Sequence, residues 1–332
     1  MRFTPRLRFS AHRFSLVVLG AAALALLGAA DRASANDKLT VGKAFPTSFA
    51  FVPINIGVET GIMSKAGLDV TIQGFEGAAK LQQGVTAGQV DIGLASGTDM
   101  AFVVKGVPDK AVAAMAGPPL AYGVFAGKDT GIDTVKDLKG KKVAVASRNS
   151  LVFWLTRHLS DKLGWGLEGI NIVYISGGNA ANISALRTKQ VDALTSGIDV
   201  GYTYEKQGYG KVIANHGQYI TTYLTHAIFA SNEMIEKRPE VIRRFLKAWF
   251  DTITWMHENK AEAVKLDMKA DGITDPDIAS HTYDTVMPMF SRDGKFDPAA
   301  LKVAAQAMVE LELLPNEPDM KALYTEEFLP KK

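Results

Sequence analysis

The chain has 332 residues, a formal net charge of +2 and no cysteine. Without cysteine it can form neither a disulfide nor a thiolate metal site, so its stability must come from buried apolar surface, which a chain of this length can supply. The small net charge and the lack of a basic run interleaved with aromatic residues give no support to nucleic-acid binding. At about 100 to 200 residues per domain, the length predicts two domains.

The first 35 residues predict a secretory signal peptide. Arginines precede an apolar run over residues 14–30, and Ala33-Ser34-Ala35 is typical of a cleavage site. The run is rich in alanine and shorter than the roughly 20 residues that span a bilayer, which favours a cleaved signal over a membrane anchor. Cleavage would leave a mature chain that begins at Asn36, carries a net charge near −2 and has no cysteine for lipid attachment. We therefore expect a protein that diffuses freely outside the cytoplasm.

After this signal, short β-branched segments alternate with helical patterns, as in βαβ units. Strands are predicted at residues 39–44, 68–75, 90–95, 110–116, 120–126, 142–147, 170–176, 191–195, 211–215 and 224–230. Helices are predicted between most of them, including residues 51–60 and 78–87. From Pro239 onward the pattern is helical, with amphipathic spacing over residues 241–259 and 298–311. Strands followed by helices predict an α/β fold with a helical tail that folds back on one lobe.

The chain contains an internal repeat. Gln-Val-Asp at residues 89–91, an apolar strand and Ser-Gly-Thr-Asp at residues 96–99 recur as Gln-Val-Asp at residues 190–192, a strand and Ser-Gly-Ile-Asp at residues 196–199. An alanine-rich helix precedes each copy, and a strand with a glycine-containing turn precedes each helix. A spacing of about 100 residues is too long for a solenoid. We therefore interpret the repeat as two lobes built on one βαβ unit.

The predicted ligand site lies beyond the carboxyl ends of the strands, where helices begin in open α/β sheets. Two such edges that face each other would form a cleft. The turns at these edges are rich in Gly, Ser, Thr and Asn, residue types that also serve as ordinary helix N-caps, so both interpretations stay open. The candidate ligand-binding residues are Thr47, Ser48, Phe49, Glu76, Ser96, Gly97, Thr98, Ser147, Arg148, Asn149, Gly178, Asn179, Ser196 and Asp199.

The sign of the ligand's charge is left open by the residues themselves. Arg148 directly precedes the helix predicted from Leu151, so a guanidinium and a helix N-terminus would converge on one anion, such as a carboxylate or sulfonate. An exposed turn arginine is the alternative. Glu76 and Asp199 indicate the opposite, because carboxylates would bind an amine or the N–H groups of a heterocycle. Asp199 also lies early in a helix, where the helix dipole stabilises a carboxylate without any ligand.

Aromatic side chains in or just after the same turns would contact the apolar body of a ligand. They are Phe49, Phe75, Phe153, Trp154 and Tyr202. Phe153 and Trp154 are adjacent and cannot share one face of a helix. At least one of them is therefore expected in the core.

Residues 61–70, 88–93 and 135–144 resemble the nitrate/sulfonate/taurine-type family of periplasmic solute-binding proteins, to which thiamine-precursor binders are related. The resemblance implies a type II periplasmic-binding-protein fold, in which two Rossmann-like lobes joined by two hinge strands close on a ligand. On this pattern the chain divides into a signal peptide at residues 1–35, the first part of lobe 1 at 36–126, lobe 2 at 127–226, and the return to lobe 1 with the helical tail at 227–332.

The same resemblance implies the function of a solute-binding component of an ABC importer. Such a protein binds a small organic ligand in the periplasm, without a cofactor or metal, and delivers it as a monomer to an inner-membrane permease with its ATPase. The family's ligand loops correspond to residues 46–49, 96–98 and 147–150. The last turn is often glycine-rich in relatives, whereas Arg148 and Asn149 here leave room for aromatic carboxylates and pyrimidines beside sulfonates, taurine and nitrate.

Two other classes compete with this interpretation. Thiamine-pyrimidine synthases are enzymes that resemble this fold, but they use a cysteine-rich motif, and this chain has no cysteine. It also has no H-E-x-x-H, G-x-S-x-G, Walker or dinucleotide-binding motif, and its six histidines lack metal-ligand spacing. A sensor subunit that docks on a signalling receptor remains an alternative, because it needs the same closing cleft.

Overall fold

The computed structural model describes Met1 and residues 36–148 and 150–331, with only the backbone of Asn179. Most of the predicted signal peptide and the candidate residue Asn149 lie outside the described residues. The first sheet contains β1 (Asp37–Lys43), β2 (Leu68–Gly74), β3 (Ile92–Ser96), β4 (Asp109–Ala116) and β10 (His226–Ser231). The second sheet contains β5 (Tyr122–Gly127), β6 (Lys142–Val145), β7 (Asn171–Tyr174), β8 (Ala193–Gly197) and β9 (Gly210–Asn215).

The helices alternate with the strands and then continue alone, as predicted. They are α1 (Val52–Glu59), α2 (Ile62–Lys65), α3 (Ala78–Thr86), α4 (Met100–Val104), α5 (Leu151–Lys162), α6 (Gly178–Arg187), α7 (Ile198–Lys206), α8 (Asn232–Lys237), α9 (Pro239–Glu258), α10 (Lys260–Asp271), α11 (Pro276–Val286) and α12 (Pro298–Glu310). Within the described part of the chain, none of these helices has both the length and the apolarity needed to cross a bilayer.

The two sheets have equivalent topologies. Their strand orders are β2-β1-β3-β10-β4 and β7-β6-β8-β5-β9. In each sheet the first three strands are parallel, and the fourth runs antiparallel to both of its neighbours. That antiparallel strand arrives from the other lobe in both cases, since β5 follows β4 and β10 follows β9. The chain therefore crosses between the lobes twice, and the predicted two-lobed α/β fold is confirmed.

The first crossing lies earlier in the chain than the sequence analysis placed it. Residues 36–126 were assigned to lobe 1, but β5 pairs with β8 and β9 of the second sheet. The crossing therefore occupies residues 117–121, between β4 and β5. Both strands are short and apolar, and nothing in their composition states which sheet each one joins. The pairing is decided by long-range hydrogen bonds. The return strand β10 begins at His226, close to the predicted position.

The repeated Gln-Val-Asp motif has the same structural role in both lobes. A carboxylate oxygen of Asp91 accepts a hydrogen bond from the backbone N–H of Thr40 in β1 at 2.8 Å. The equivalent oxygen of Asp192 accepts one from the backbone N–H of Lys142 in β6, also at 2.8 Å. Each aspartate thus joins the segment before β3 or β8 to the first parallel strand of its own lobe, so the repeat marks equivalent positions of two related frameworks.

The tail is the largest difference between the lobes. Apolar residues at helical spacing give α9 a buried face that includes Phe245 and Trp249, and α9 and α10 pack against α1 of the first lobe. The tail also reaches the second lobe, which differs from the expectation that it folds on one lobe alone. Helix α11 contacts α7, and Ala307 of α12 lies in a cluster with Trp154 of α5 and Tyr223.

Candidate functional site

The topology aligns the predicted turns along two facing edges. The strands β1, β2 and β3 are parallel, as are β6, β7 and β8, so the turns at their carboxyl ends lie on one edge of each sheet. In the strand orders, β3 and β8 are next to the strands that enter from the other lobe, whereas β2 and β7 are at the far edge. The turns after β3 and β8 therefore lie beside the crossings, and those after β2 and β7 form the mouth of the cleft.

The turn after β3 is held against the second crossing, which occupies residues 216–225 between β9 and β10. The N–H of Gly97 donates to the carbonyl of Thr225 at 3.0 Å, and a Cβ at Gly97 would lie 2.2 Å from the carbonyl oxygen of Leu224. Ser96 and Asp99 form a capping box, in which the Ser96 N–H donates to the Asp99 carboxylate at 3.1 Å. These contacts are those of a helix cap and a hinge, the alternative that the residue types had left open.

Of the predicted residues in that turn, Thr98 is buried and its hydroxyl shares a hydrogen bond of 3.0 Å with that of Ser96. Ser96 remains partly accessible. The hydrogen-bonding groups of this turn are largely used by the turn itself, so it forms a rigid wall at the inner end of the cleft.

The equivalent turn after β8 is more open. Ile198 donates its N–H to the carbonyl of Ala121 at 2.9 Å, in a contact that corresponds to that between Gly97 and Thr225. Asp199, however, accepts from the backbone N–H of Val200 instead of reaching back to Ser196, and its side chain is only partly buried. Burial raises the pKa of Asp199. Among the described residues no cation lies within 4 Å of it.

Tyr122, the first residue of β5, is placed between the two lobes. Burial, together with the nearby charges of Asp199 and Asp99, raises the pKa of Tyr122 to about 12. Burial also raises the pKa of Asp99 to about 7. The charges of Asp199 in one lobe and of Asp99 in the other thus both act on this phenol. Sequence reasoning missed Tyr122, because it had assigned β5 to the wrong lobe.

Of the predicted residues in the loop after β1, one lies in the core and the others lie at or near the surface. Phe49 is 7% exposed and packs edge to face against Tyr283, with ring centroids 5.8 Å apart. It is a core residue of the first lobe, not an aromatic wall of the cleft. Thr47 is exposed, and Ser48 is partly buried, with its N–H donating to the carboxylate of Asp271 at 3.2 Å. The loop is therefore anchored by the tail helix α10.

Behind this loop lies a buried polar cluster that sequence reasoning did not single out. The ammonium of Lys43 donates to the side-chain carbonyl of Asn55 at 3.1 Å, and burial lowers the pKa of Lys43. Burial raises the pKa of Asp271 to about 6 and that of Asp267 to about 8, the latter with contributions from the charges of Asp271 and Asp199. The only available signal was the spacing of two aspartates four residues apart on one face of a helix.

At the mouth, Glu76 lies on the first lobe and is exposed. Its carboxylate pairs with the ammonium of Lys80 at 2.7 Å, and this hydrogen bond lowers the pKa of Glu76. On the second lobe, Gly178 is exposed at the start of α6 with φ of +73°. Nothing is described of the side chain of Asn179. These residues lie on opposite rims, where Glu76 already has a cationic partner.

Arg148 is the exposed cation of the second lobe's edge. The neighbouring residue Ser147 accepts from the Ser150 hydroxyl at 2.7 Å, and Ser150 caps α5 by accepting from the Phe153 N–H at 3.4 Å. The guanidinium carbon of Arg148 lies 5.6 Å from the ring centroid of Tyr174. In the described ranges no carboxylate lies within 4 Å of Arg148. Its charge is therefore available beside the start of a helix.

The lobes touch at two places, each between a helix of the second lobe and a helix of the tail. At the first, the hydroxyls of Tyr202 and Thr285 share a hydrogen bond of 2.8 Å, and the Tyr202 ring stacks on His281 with centroids 3.8 Å apart. At the second, the imidazole of His158 lies 2.6 Å from the carboxylate of Glu310. The structure therefore shows lobes in contact across the cleft. Within the part of the chain that is described, no group of three or more His, Asp or Glu is arranged to hold a metal ion.

Known proteins share this two-lobed arrangement. The fold is that of the type II periplasmic binding proteins: the chain resembles the periplasmic aliphatic sulphonate binding protein SsuA from Escherichia coli with a TM-score of 0.73 at 18% identity, over 87% of this chain and 92% of that one. A model of the NMT1/THI5-like family matches residues 48–263. This span exceeds half of the chain, so the chain belongs to the NMT1/THI5-like family.

Two further relatives differ in what their names state. The "Putative aliphatic sulfonates-binding protein" of Bacillus subtilis is 26% identical over 257 residues, which covers 76% of each chain. A mutant of the desulfurization enzyme DszB, solved in complex with biphenyl-2-sulfinic acid, matches with a TM-score of 0.67 at 14% identity, over 88% of this chain and 97% of that one. The fold is thus shared by binding proteins and at least one enzyme.

Proposed function

We propose that this protein is the solute-binding component of an ABC importer, which captures a small organic ligand between its lobes in the periplasm and delivers it to an inner-membrane permease. One observation carries the proposal. Equivalent edges of the two sheets face each other, and the chain crosses between the lobes twice. The predicted signal peptide and the sulfonate-binding names of two relatives support it.

The ligand that fits best is an organic anion, a sulfonate or carboxylate. Arg148 supplies an exposed guanidinium without a carboxylate partner among the described residues, next to the N-terminus of α5. A guanidinium offers paired N–H donors to a two- or three-oxygen anion, and the helix terminus adds a favourable partial charge. The anion would bind at the second lobe's edge and the rest of the ligand would extend across the cleft.

Closure would couple ligand binding to the contacts between the lobes. A ligand shifts an equilibrium between open and closed forms only by its difference in affinity for the two. Tyr202 with Thr285, and His158 with Glu310, are contacts that an open form would lose. These two pairs would stabilise the closed form relative to the open form whether or not ligand is bound. The ligand would supply the remaining free energy that favours closure.

The test follows the melting temperature of the mature chain from Asn36 against sulfonates, carboxylates, nitrate, pyrimidines and amines. A ligand at 100 times its Kd stabilises the folded state by about 2.7 kcal/mol. We expect sulfonates or carboxylates to raise the melting temperature and Arg148→Ala to weaken their binding by roughly ten- to a hundredfold, since a charged hydrogen bond contributes about 1.5–3 kcal/mol.

Arg187→Ala is the matched control. Arg187 lies 5.5 Å over the ring of Tyr209, at the opposite edge of the same sheet, and so repeats the cation–ring contact of Arg148 away from the cleft. It should leave anion binding unchanged. If Arg148→Ala binds every anion as tightly as the native chain, the anion site is not at Arg148.

A second ligand class has one observation in its favour. Asp199 is a partly buried carboxylate whose charge acts on the phenol of Tyr122, and it has no cationic partner among the described residues. This environment suits an amine or the N–H groups of a pyrimidine. If only such compounds stabilise the protein, and Asp199→Asn removes the effect while Arg148→Ala does not, the heterocycle is the ligand class.

Transport is distinguished from sensing and catalysis by the fate of the ligand. We expect the ligand to be recovered chemically unchanged after incubation, as mass spectrometry would show. The liganded protein should stimulate ATP hydrolysis by the reconstituted permease. Stimulation of a signalling receptor instead would make the chain a sensor subunit, and conversion of the ligand would make it an enzyme.

A further inference from the structure

Two adjacent aromatic rings with an arginine over each of them lie on the second lobe, and we name these four residues the rim stack. The guanidinium of Arg157 lies 5.5 Å over the ring of Phe153, Phe153 lies 5.8 Å from the ring of Tyr174, and Arg148 lies 5.6 Å over Tyr174. Each contact is within the range at which a cation or ring is attracted to the face or edge of an aromatic ring.

The position of the rim stack is set by the fold. Tyr174 is the last residue of β7, the edge strand farthest from the crossings, so it lies at the mouth of the cleft. Arg148 follows β6, the next strand, and Phe153 lies in the first turn of α5. The sequence analysis had named Phe153 as a candidate ligand contact but had not considered Tyr174. Both rings are on the same rim as the available guanidinium.

Nothing in the structure explains why the rings of Tyr174 and Phe45 are exposed. In the described part of the chain the exposed large apolar side chains are Met1, Phe45, Val58, Val104 and Tyr174. The two aromatic ones are Phe45 at 54% exposure, two residues after the end of β1, and Tyr174 at 43%, the last residue of β7. Exposed aromatic surface at facing edges is typical of a place where a ligand covers it.

Two of the aromatic residues predicted to contact a ligand are buried. Phe49 is packed into the first lobe's core and Trp154 is 2% exposed, stacked between His158 and Tyr223. Among the described residues, the aromatic rings with the most exposed surface are those of Tyr174 and Phe45, at the ends of strands of the two lobes.

We infer that the rim stack selects ligands that carry an aromatic ring next to an anionic group. This inference rests on the proposed function and names the ligand class of the same site. The anion binds the guanidinium of Arg148, and the ring stacks on Tyr174, with Phe45 on the opposite rim. Phe153 packs against Tyr174, and Arg157 lies over Phe153. An aliphatic ligand keeps the anion contact but loses the ring contact.

The experiment compares two anions of similar size by isothermal titration calorimetry: benzenesulfonate and cyclohexanesulfonate. Native protein should bind benzenesulfonate about tenfold more tightly, the magnitude expected for an aromatic pair. Tyr174→Leu should reduce this preference to about twofold or less, whereas Tyr174→Phe, which keeps the ring, should retain it. Tyr209→Leu is the control, because it removes a tyrosine ring that also faces an arginine in this lobe but lies away from the mouth.

Each outcome separates this inference from the proposed function. If both sulfonates bind with equal affinity, or if Tyr174→Leu keeps the preference, the rim stack does not select aromatic ligands, although the anion-binding function stands. If neither sulfonate nor benzoate binds to native protein, the proposed anion site fails, and the inference with it. Tyr174 is exposed, so Tyr174→Leu should melt within a few degrees of native protein, which confirms that any change in binding is local.

Discussion

The two lobes share one framework but differ at the edges that face each other. Both have the same strand order, and both use an aspartate, Asp91 or Asp192, to join equivalent segments. In the first lobe the edge is held by its own contacts, such as that of Ser48 with Asp271. In the second lobe Ser147 and Arg148 are exposed. The same topology thus supports a rigid wall on one side of the cleft and a wall with available polar groups on the other.

The difference follows from what packs behind each edge. The first lobe has a single large core cluster, to which the tail helices contribute residues such as Trp249. In the second lobe the two faces of the sheet carry separate, smaller clusters, one around Val143 and Leu159 and the other around Ala144 and Tyr204. A lobe with fewer covering helices leaves more of its edge accessible. We therefore expect substitutions at equivalent positions of the two lobes to have unequal effects.

The largest difference is expected at the equivalent glycines Gly97 and Gly197. A Cβ at Gly97 would lie 2.2 Å from a backbone oxygen of Leu224, whereas one at Gly197 would meet only a carboxylate oxygen of Asp199, at 2.6 Å. A side chain can move away and a hinge backbone cannot. Gly97→Ala should lower the free energy of unfolding by about 3 kcal/mol and Gly197→Ala by under about 1 kcal/mol, measured by urea denaturation. Equal losses would contradict the view that the turn after β3 packs more tightly against its crossing than the turn after β8 packs against its own.

The second prediction concerns the pH dependence of stability, through an aspartate of the tail helix α10 that packs on the first lobe. Burial raises the pKa of Asp267 to about 8 from its ordinary value of 3.8. The native state thus binds a proton that the unfolded state has released, so stability should fall as the pH rises from about 4 to about 8. Asp267→Asn should remove this part of the fall and stabilise the protein at pH 9, by about 3 kcal/mol relative to its effect at pH 6. Thermal unfolding at several pH values measures this.

Two buried histidines should lower the protein's stability at acid pH. Burial lowers the pKa of His216 to about 3 and that of His226 to about 4. The unfolded state therefore gains protons first as the pH falls below about 6.5, and stability should decline there too.

A stability profile for Asp267→Asn that falls as steeply toward alkaline pH as that of native protein would show that Asp267 is not buried in its protonated form.

The third test concerns the feature that the lobes share. Asp91→Ala and Asp192→Ala each leave a backbone N–H without its carboxylate acceptor, so each should lower the free energy of unfolding by about 1–3 kcal/mol. The two losses should be similar, since both hydrogen bonds measure 2.8 Å. Urea denaturation of both variants checks this. A loss confined to one lobe would mean that the repeated motif has a structural role in that lobe only.

The smallest effect is expected where the lobes touch. Tyr202→Phe removes the hydrogen bond to Thr285 and keeps the ring stacked on His281. It should weaken ligand binding by about two- to tenfold, because the closed form loses about 0.5–1.5 kcal/mol. Lys206→Met is the control, since its ion pairs with Asp275 and Asp277 are exposed and contribute little. Unchanged affinity for Tyr202→Phe would mean that this contact also exists in the open form.

The secondary structure was largely predictable because each element has a local signal. The predicted helix at residues 241–259 is observed as Pro239–Glu258, and the predicted strand at 110–116 as Asp109–Ala116. The assignment of β5 to a lobe was wrong, because residues 122–127 carry no mark of their partner. The turns were also predictable, since strands and helices must be joined by Gly-, Ser- and Asn-rich segments at the carboxyl edge.

The roles of individual site residues were less predictable. Asp99 and Asp199 occupy equivalent positions of the repeat, yet one closes a capping box and the other does not. Phe49 lies in a predicted ligand loop, but its ring belongs to the core. In both cases the sequence is compatible with either role, and the packing of distant residues selects one.

By itself, the sequence determined the two-lobed α/β design, since the βαβ punctuation, the helical tail and the repeated Gln-Val-Asp motif are properties of neighbouring residues. Only the tertiary structure decided which side chains face the cleft. Ser48 meets Asp271 from 223 positions away, and the rings of Phe153 and Tyr174 meet because an edge strand ends beside the start of a helix. Periodicity records burial and local geometry, whereas contacts between distant segments exist only once the chain has crossed between its lobes.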